Sequence, residues 1–209
     1  MTRTFAPWTR TAALALGVAA ATLTQTACIP LVVGGAALGG AAVMSDRRNP
    51  TAQLDDQTIE ARAASRLREL LGDRAHVSVN VYNRLVLLTG EVFNEADRGL
   101  AEQTVAKVTN VKLVVNELVA QWPSSTSDRA NDMVLAGKVK ATFIDAKSVP
   151  VGAFKVVVER KTVYLMGRVT EPEATRAAEL TRTISGVQKV VKVVEVVSQA
   201  ELDTLDKPR

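Results

Sequence analysis

The chain has one cysteine, Cys28, and one histidine, His76, among its 209 residues, so the chemistry open to it is narrow. A lone cysteine makes no intramolecular disulfide, no cysteine zinc cluster and no CxxC redox pair. A lone histidine makes no multi-histidine metal site, and it pairs with Cys28 as base and nucleophile only if that thiol is free. His76 lies between Ala75 and Val77 at the edge of an alternating apolar run, and the matching place later in the chain holds Ala153. It therefore reads as an edge or surface histidine rather than a general base. The neighbouring acids Asp55 and Asp56 read as helix caps favoured by the helix dipole. Glu91 and Glu95 are spaced so that they could face one another, but the sequence pattern supplies neither further metal ligands nor a glycosidase-like cleft. No phosphate-binding loop, nucleophile elbow or zinc spacing is present in the sequence. The expectation is a non-enzyme, with no catalytic residue, no metal and no cofactor.

The chemistry that remains to Cys28 is lipidation. Arg3 and Arg10 precede the apolar run Thr11 to Thr24, no acidic residue appears before Asp46, and Thr26 and Ala27 lead into Cys28. A charged start, a short apolar stretch and a small-residue cleavage site describe a secretory signal. A cysteine directly after the cut is the mark of a bacterial lipoprotein signal. Gln25 stands where a leucine is usual, so cleavage by an ordinary signal peptidase, leaving a free exported thiol, is the alternative. Each buried acyl CH₂ contributes about 0.8 kcal/mol, so several chains would anchor the protein essentially permanently. Ile29, not an aspartate, follows Cys28, which favours the outer membrane over retention at the inner one. From Ile29 to Met44 the chain is apolar and glycine-rich, too short for the roughly 20 residues of a spanning helix. It reads as a tether, closed by Asp46 to Pro50 as linker.

The rest is one unit written twice. Val77–Val81 and Phe154–Val158 both alternate as half-buried strands, followed by polar turns at Asn83–Arg84 and Arg160–Lys161. Leu85–Val92 and Thr162–Val169 come next, and their structural glycines, Gly90 and Gly167, stand 77 residues apart. Each copy reads helix, strand, strand, helix, strand. The first helix carries Ile59, Ala63, Leu67 and Leu70 on one face with Gly72 as its stop. The second helix, from near Asn94, turns Leu100, Ala101, Thr104 and Val108 inward. In the second copy Thr170 and Glu173 form a capping box, and Gly186 ends the helix. The predicted fold class is α+β: two tandem units, each a small three-stranded mixed sheet with both helices on one face and a right-handed crossover. A core of about 65 residues is marginal, so the copies are expected to support one another. The boundaries read as a signal peptide at 1–27, lipidated Cys28 and tether at 28–50, and domains at 51–120 and 128–198. A linker at 121–127 joins them, and a polar tail follows at 199–209.

The doubled hairpin, ending in Leu-Leu-Thr-Gly-Glu-Val and Leu-Met-Gly-Arg-Val and followed by a helix and a valine-rich strand, resembles the BON domain. With the lipidated cysteine and glycine-rich tether, the arrangement is similar to the dual BON-domain lipoproteins of the outer membrane, over nearly the whole mature chain. The resemblance implies a non-enzymatic periplasmic protein that contacts phospholipid, helps keep the outer membrane intact, and in some members gathers at the division site.

Charge separates the copies. Residues 51–126 hold eight Lys/Arg against ten Asp/Glu, a balance of −2, whereas 127–198 hold twelve against eight, a balance of +4. Anionic phospholipid, phosphatidylglycerol or cardiolipin, is the natural partner of the basic copy, at about 1 kcal/mol per well-placed basic residue. Export makes nucleic acid a remote partner. On a helix through Asn131–Ile144, Leu135, Val139, Thr142 and Phe143 make a core stripe. Met133, Gly137, Lys140 and Ile144 lie opposite, with Val134 and Ala141 beside them and Lys138, Lys140 and Arg129 at the rim. The same rear face of the first helix carries Ala61, Ser65 and Arg68. The candidate phospholipid-binding residues are therefore Met133, Val134, Lys138, Lys140 and Ile144. Two alternatives stand beside this: the rear face packs against the first copy, or it docks an envelope protein, making the chain a protein–protein adaptor. Trp122, in the linker, is either a second anchor or a wedge between the domains.

Overall fold

The computed structural model describes residues 46–205; the signal, Cys28 and most of the tether lie outside the described residues. Helix α1 spans Pro50–Leu71. Asn49 caps it, its side-chain oxygen accepting the Ala52 N–H at 2.7 Å, and Pro50 suits the first turn, where no N–H is needed. The helix ends at Gly72 with φ +60°. It thus starts more than a turn before Asp55–Asp56, and those acids are not its caps. Strands β1, His76–Tyr82, and β2, Leu85–Val92, form the antiparallel hairpin. Helix α2, Glu95–Ala106, follows with Asn94 as its cap. The chain then runs parallel to β2 as β3, Leu113–Asn116, and β4, Val119–Ala120, broken between them where Leu118 tucks into the core.

The second copy repeats this plan. Helix α3 spans Thr126–Ala146, hairpin strands β5 and β6 are Phe154–Glu159 and Thr162–Val169, and α4 is Glu171–Arg182. Strand β7, Lys189–Val196, pairs parallel with β6 along its whole length. The Thr170–Glu173 capping box is formed. Gly186, at φ +103°, lies in the turn beyond α4 rather than at its end. Ser198 and Glu201 cap a last short helix, α5, Gln199–Leu205, with Leu202 buried where a polar tail was expected.

Each sheet buries one face against its own two helices. In the first domain Ile59, Ala63, Leu67 and Leu71 of α1 meet Val79, Val81, Val86 and Leu88, together with Ala101 and Val105 of α2. Leu70 packs against this core partly buried while Leu71 and Val105 are fully inside it, and Leu100, expected inward, is exposed. The second core is built alike, from Val139, Phe143, Val156, Leu165 and Ala177 among others.

The other faces of the two sheets pack on one another. Tyr82 and Leu87 meet Tyr164, Met166 and Val193 in a third apolar cluster. Alternation explains it: Val86 and Leu88 point to α1 while Leu87 points across the seam, and Leu165 and Met166 divide the same way. The middle strands β2 and β6 are therefore covered on both sides, which is why they read as nearly unbroken apolar runs. Each Leu or Met buried there contributes about 1.5–3 kcal/mol. The two copies do support one another, and they do so through their sheets, not through the rear face of α3.

Residues 46–49, expected as linker, are pinned to both domains. Arg47 makes a two-pronged pair with Glu173, both bonds 2.8 Å, and holds that carboxyl below the usual range. Arg48 reaches Asp56 at 2.9 Å and lies over the Tyr82 ring.

Candidate lipid-facing helix and a titratable cluster at the domain seam

Helix α3 is long enough for almost six turns and shows two apolar faces. Leu135, Val139 and Phe143 are buried, as the stripe requires. Met133 is 77% exposed, and Val134 and Ile144 are each 60% exposed. Gly137, on the same side, has open space where a side chain would begin. Lys138 and Lys140 are exposed too, and at 3.6 residues per turn they flank the Met133–Gly137–Ile144 row on its two sides. The arrangement is an apolar strip with ammonium groups at its margins, the form that lies in a membrane interface. No helix among the described residues is long and apolar enough to cross a membrane.

Trp122 does not wedge the domains. It is 82% exposed and meets Phe93, itself exposed, edge to face at 6.2 Å between ring centroids. Gly90 and Gly167 do matter to the hairpins. A side chain on Gly90, at φ +109°, would run into the backbone oxygen of His76. One on Gly167 would stand 2.5 Å from that of Ala153. Those two contacts are equivalent, so the 77-residue register holds at atomic level.

The acids of the two first helices have a task that helix-cap reasoning missed. Asp56 accepts the N–H groups of Asn83 and Arg84, both at 2.7 Å. Asp132 accepts those of Arg160 and Lys161, at 2.6 and 3.0 Å. All four turn residues have positive φ, between 50° and 68°, as a tight two-residue hairpin turn demands, although none is glycine. Each buried carboxylate satisfies both N–H groups and fixes the hairpin against its helix. The signal was present as an aspartate at matching places in two helices, each followed by a two-residue polar turn. Neighbouring Asp55 pairs instead with Arg84, at 2.5 Å.

At the seam the fold assembles a cluster that spacing could not show. Glu91 is fully buried. One carboxylate oxygen accepts from Arg160 at 3.2 Å, and the other faces His76 Nδ1 at 3.2 Å and the Ser124 hydroxyl at 3.4 Å. Glu159, at the end of β5, completes the group: one donor atom each from His76, Glu91 and Glu159 lie within 4.8 Å of one another. Burial pushes the Glu159 carboxyl up; Glu91 and Asp132 add to this while His76 and Arg160 oppose it. Glu95 does not face Glu91: it opens α2, exposed, beside Arg98. His76 does sit on a strand edge, but its ring is turned to a buried acid.

Comparison with known proteins gives matching results. The BON domain matches twice, over residues 55–121 and 131–198. The chain is 35% identical over 176 residues to the outer membrane lipoprotein DolP of Haemophilus influenzae, covering 83% of this chain and 90% of that one. It is 29% identical over 154 residues to a 21 kDa hemolysin of Actinobacillus pleuropneumoniae, covering 73% and 79%. Among solved structures, the type III secretion protein CdsD of Chlamydia trachomatis aligns with 69% of this chain and 97% of that chain, at 11% identity. Its TM-score is 0.30, too low to carry an argument.

Proposed function

The chain belongs to the BON-domain family as an outer-membrane lipoprotein with two such domains, and from that premise we propose that its second domain binds anionic phospholipid through the rear face of α3, in support of envelope integrity. In this reading Cys28 carries the acyl anchor, the chain faces the periplasm, and its role is one of binding rather than catalysis.

The observation that carries the reading is the exposure of Met133, Val134 and Ile144 between Lys138 and Lys140. The sheets supply the contact between domains, so the apolar strip is not needed to hold them together. Insertion of Met133 and Ile144 among headgroups removes apolar surface from water, while the lysines stay at the level of the phosphates. The first term acts at any bilayer, whereas the second needs a membrane carrying negative charge and weakens with salt.

Co-sedimentation with vesicles tests it, using the chain with Cys28→Ala so that acyl chains do not mask the contact. Binding to vesicles of phosphatidylglycerol or cardiolipin, weaker with phosphatidylcholine and reduced by salt, is expected. Met133→Asp with Ile144→Asp should abolish it and leave the fold intact, because both residues are exposed. A folded double variant that still binds would move the contact elsewhere, first to the Phe93–Trp122 pair. Vesicles that never bind the parent chain would favour the adaptor role, with the same strip meeting an envelope protein.

A further inference from the structure

We propose that His76, Glu91 and Glu159 form a binding site for a borderline divalent cation, of which zinc is the type, joining the two domains at their seam. The ligands come from β1 and β2 of the first domain and β5 of the second, and their donor atoms already lie within 4.8 Å of one another. His76 and Glu91 are direct cross-strand neighbours. Their Nδ1–Oε2 separation of 3.2 Å is the spacing two ligands of one cation show. Legs of about 2.0–2.2 Å at roughly 90–110° put them about 2.8–3.6 Å apart. Rotation about the side-chain bonds of Glu159, which is only partly buried, closes the remaining distance.

The charge around the cluster calls for a cation. Glu91 is wholly buried, and its guanidinium partner, Arg160, binds one of its two oxygens and is itself 45% exposed on its side chain. Glu159 brings a second carboxylate to the other side, where Glu91 Oε2 meets His76 Nδ1 and the Ser124 hydroxyl. Asp132 is close enough to act on Glu159, but its own oxygens are committed to the hairpin turn. Against these acids stand Arg160 and His76, so a dication on the Glu91 Oε2 side, taking the place of the Ser124 hydroxyl contact, adds positive charge where two carboxylates meet. One imidazole with two carboxylates suits zinc better than magnesium or calcium, which favour oxygen alone. A cleft of about 190 Å³, lined by Gly90, Glu117, Glu159, Arg160, Tyr164 and Lys189, opens beside Glu159. It opens the Glu159 side of the cluster to solvent.

The site arises only once. At the places equivalent to His76, Glu91 and Glu159 by the 77-residue register, the chain has Ala153, Arg168 and Tyr82. The donors are therefore not a by-product of the repeated fold, and they meet only because the first hairpin packs on the second. A bound cation would tie those hairpins together and stabilise the docked pair by mass action.

Equilibrium dialysis tests this on untagged, chelator-stripped full chain carrying Cys28→Ala, which removes the only thiol. With Mg²⁺ and Ca²⁺ in excess, one Zn²⁺ per chain should be retained and the melting temperature should rise with added zinc. Glu159→Gln and His76→Ala should each weaken retention roughly tenfold or more, while their metal-free melts stay near that of the parent. Glu159→Gln keeps size and lies at a partly exposed strand end, so it decides the matter should His76→Ala unfold. No stoichiometric zinc on the parent, equal retention of Mg²⁺, or parental zinc affinity in a folded variant overturns the site.

Discussion

The two BON domains agree on the inside and differ on the outside. Both hold their hairpin turn with a helix aspartate, Asp56 or Asp132, and both bring a glycine against a backbone oxygen, Gly90 on His76 and Gly167 on Ala153. Both turn one sheet face to their helices and the other to the partner sheet. The rear faces of α1 and α3 share none of this likeness: Ala61, Ser65 and Arg68 stand on one, Met133, Val134 and Ile144 on the other. Packing constrains each inward residue through many neighbours at once, whereas a solvent-facing helix side is free to take on a task. What distinguishes the copies is therefore where function is to be sought.

The largest expected effect probes the shared inside. Gly90→Val combines a positive φ with a collision at His76, and should cost about 3–4 kcal/mol. Gly167→Val has the close approach but an ordinary φ, and should cost about 1–3 kcal/mol. Denaturant titration of both measures the difference. Equal and negligible costs would break the register on which the comparison of domains rests.

The turn carboxylates come next. Asp56→Ala leaves two turn N–H groups without their partner and also removes one of the two acids that hold Arg48, the other being Asp46, so a loss of about 3 kcal/mol is expected. Asp132→Ala orphans only the turn, for about 2 kcal/mol. The same titration sharpens the comparison, since the excess at Asp56 reports the hold of the 46–49 segment. That excess should vanish in an Arg48→Ala background; if it persists there, Arg48 is not its source.

A smaller effect lies at the seam. Burial, first of several causes, pushes the Tyr82 phenol up to about 12 and raises Tyr164 as well. A group whose pKa is raised on folding gives stability that is full below its unfolded value, about 10 for tyrosine, and is lost as pH rises through the folded one. Melts should therefore hold steady up to about pH 10 and fall toward pH 12. Tyr82→Phe should flatten that fall. An unchanged alkaline profile in the double variant Tyr82→Phe with Tyr164→Phe would place the lability outside the sheet–sheet contact.

Much of the domain fold was legible because its signals are local. Strand alternation, the Thr170–Glu173 capping box and the spacing of Gly90 and Gly167 each lie within one element or one repeat. The rear face of α3 was legible for the same reason: a helical period of 3.6 sorts Met133 and Ile144 from Leu135 and Phe143 without knowledge of the partner domain. The alternative, that this face meets the first copy, was left open because both faces of a three-stranded sheet need cover and the sequence does not say what covers the second. Tyr82, Leu87, Tyr164 and Met166 answered that only once the sheets were stacked. Asp56 was misread as a cap because a helix dipole accounts for an acid near a helix start, while its real partners are 27 and 28 residues away. The His76–Glu91–Glu159 cluster joins strands of different domains, and no spacing rule reaches across that distance.

The central claim is that the outward difference between the domains is a lipid-binding one, and amide NMR titration of the Cys28→Ala chain with anionic micelles tests it most directly. Shifts should grow with micelle concentration along Met133, Val134, Gly137, Lys138, Lys140 and Ile144, and leave Ala61, Ser65 and Arg68 of α1 unmoved. Shifts of equal size on both helices, or none on α3 while the micelles bind, would contradict it.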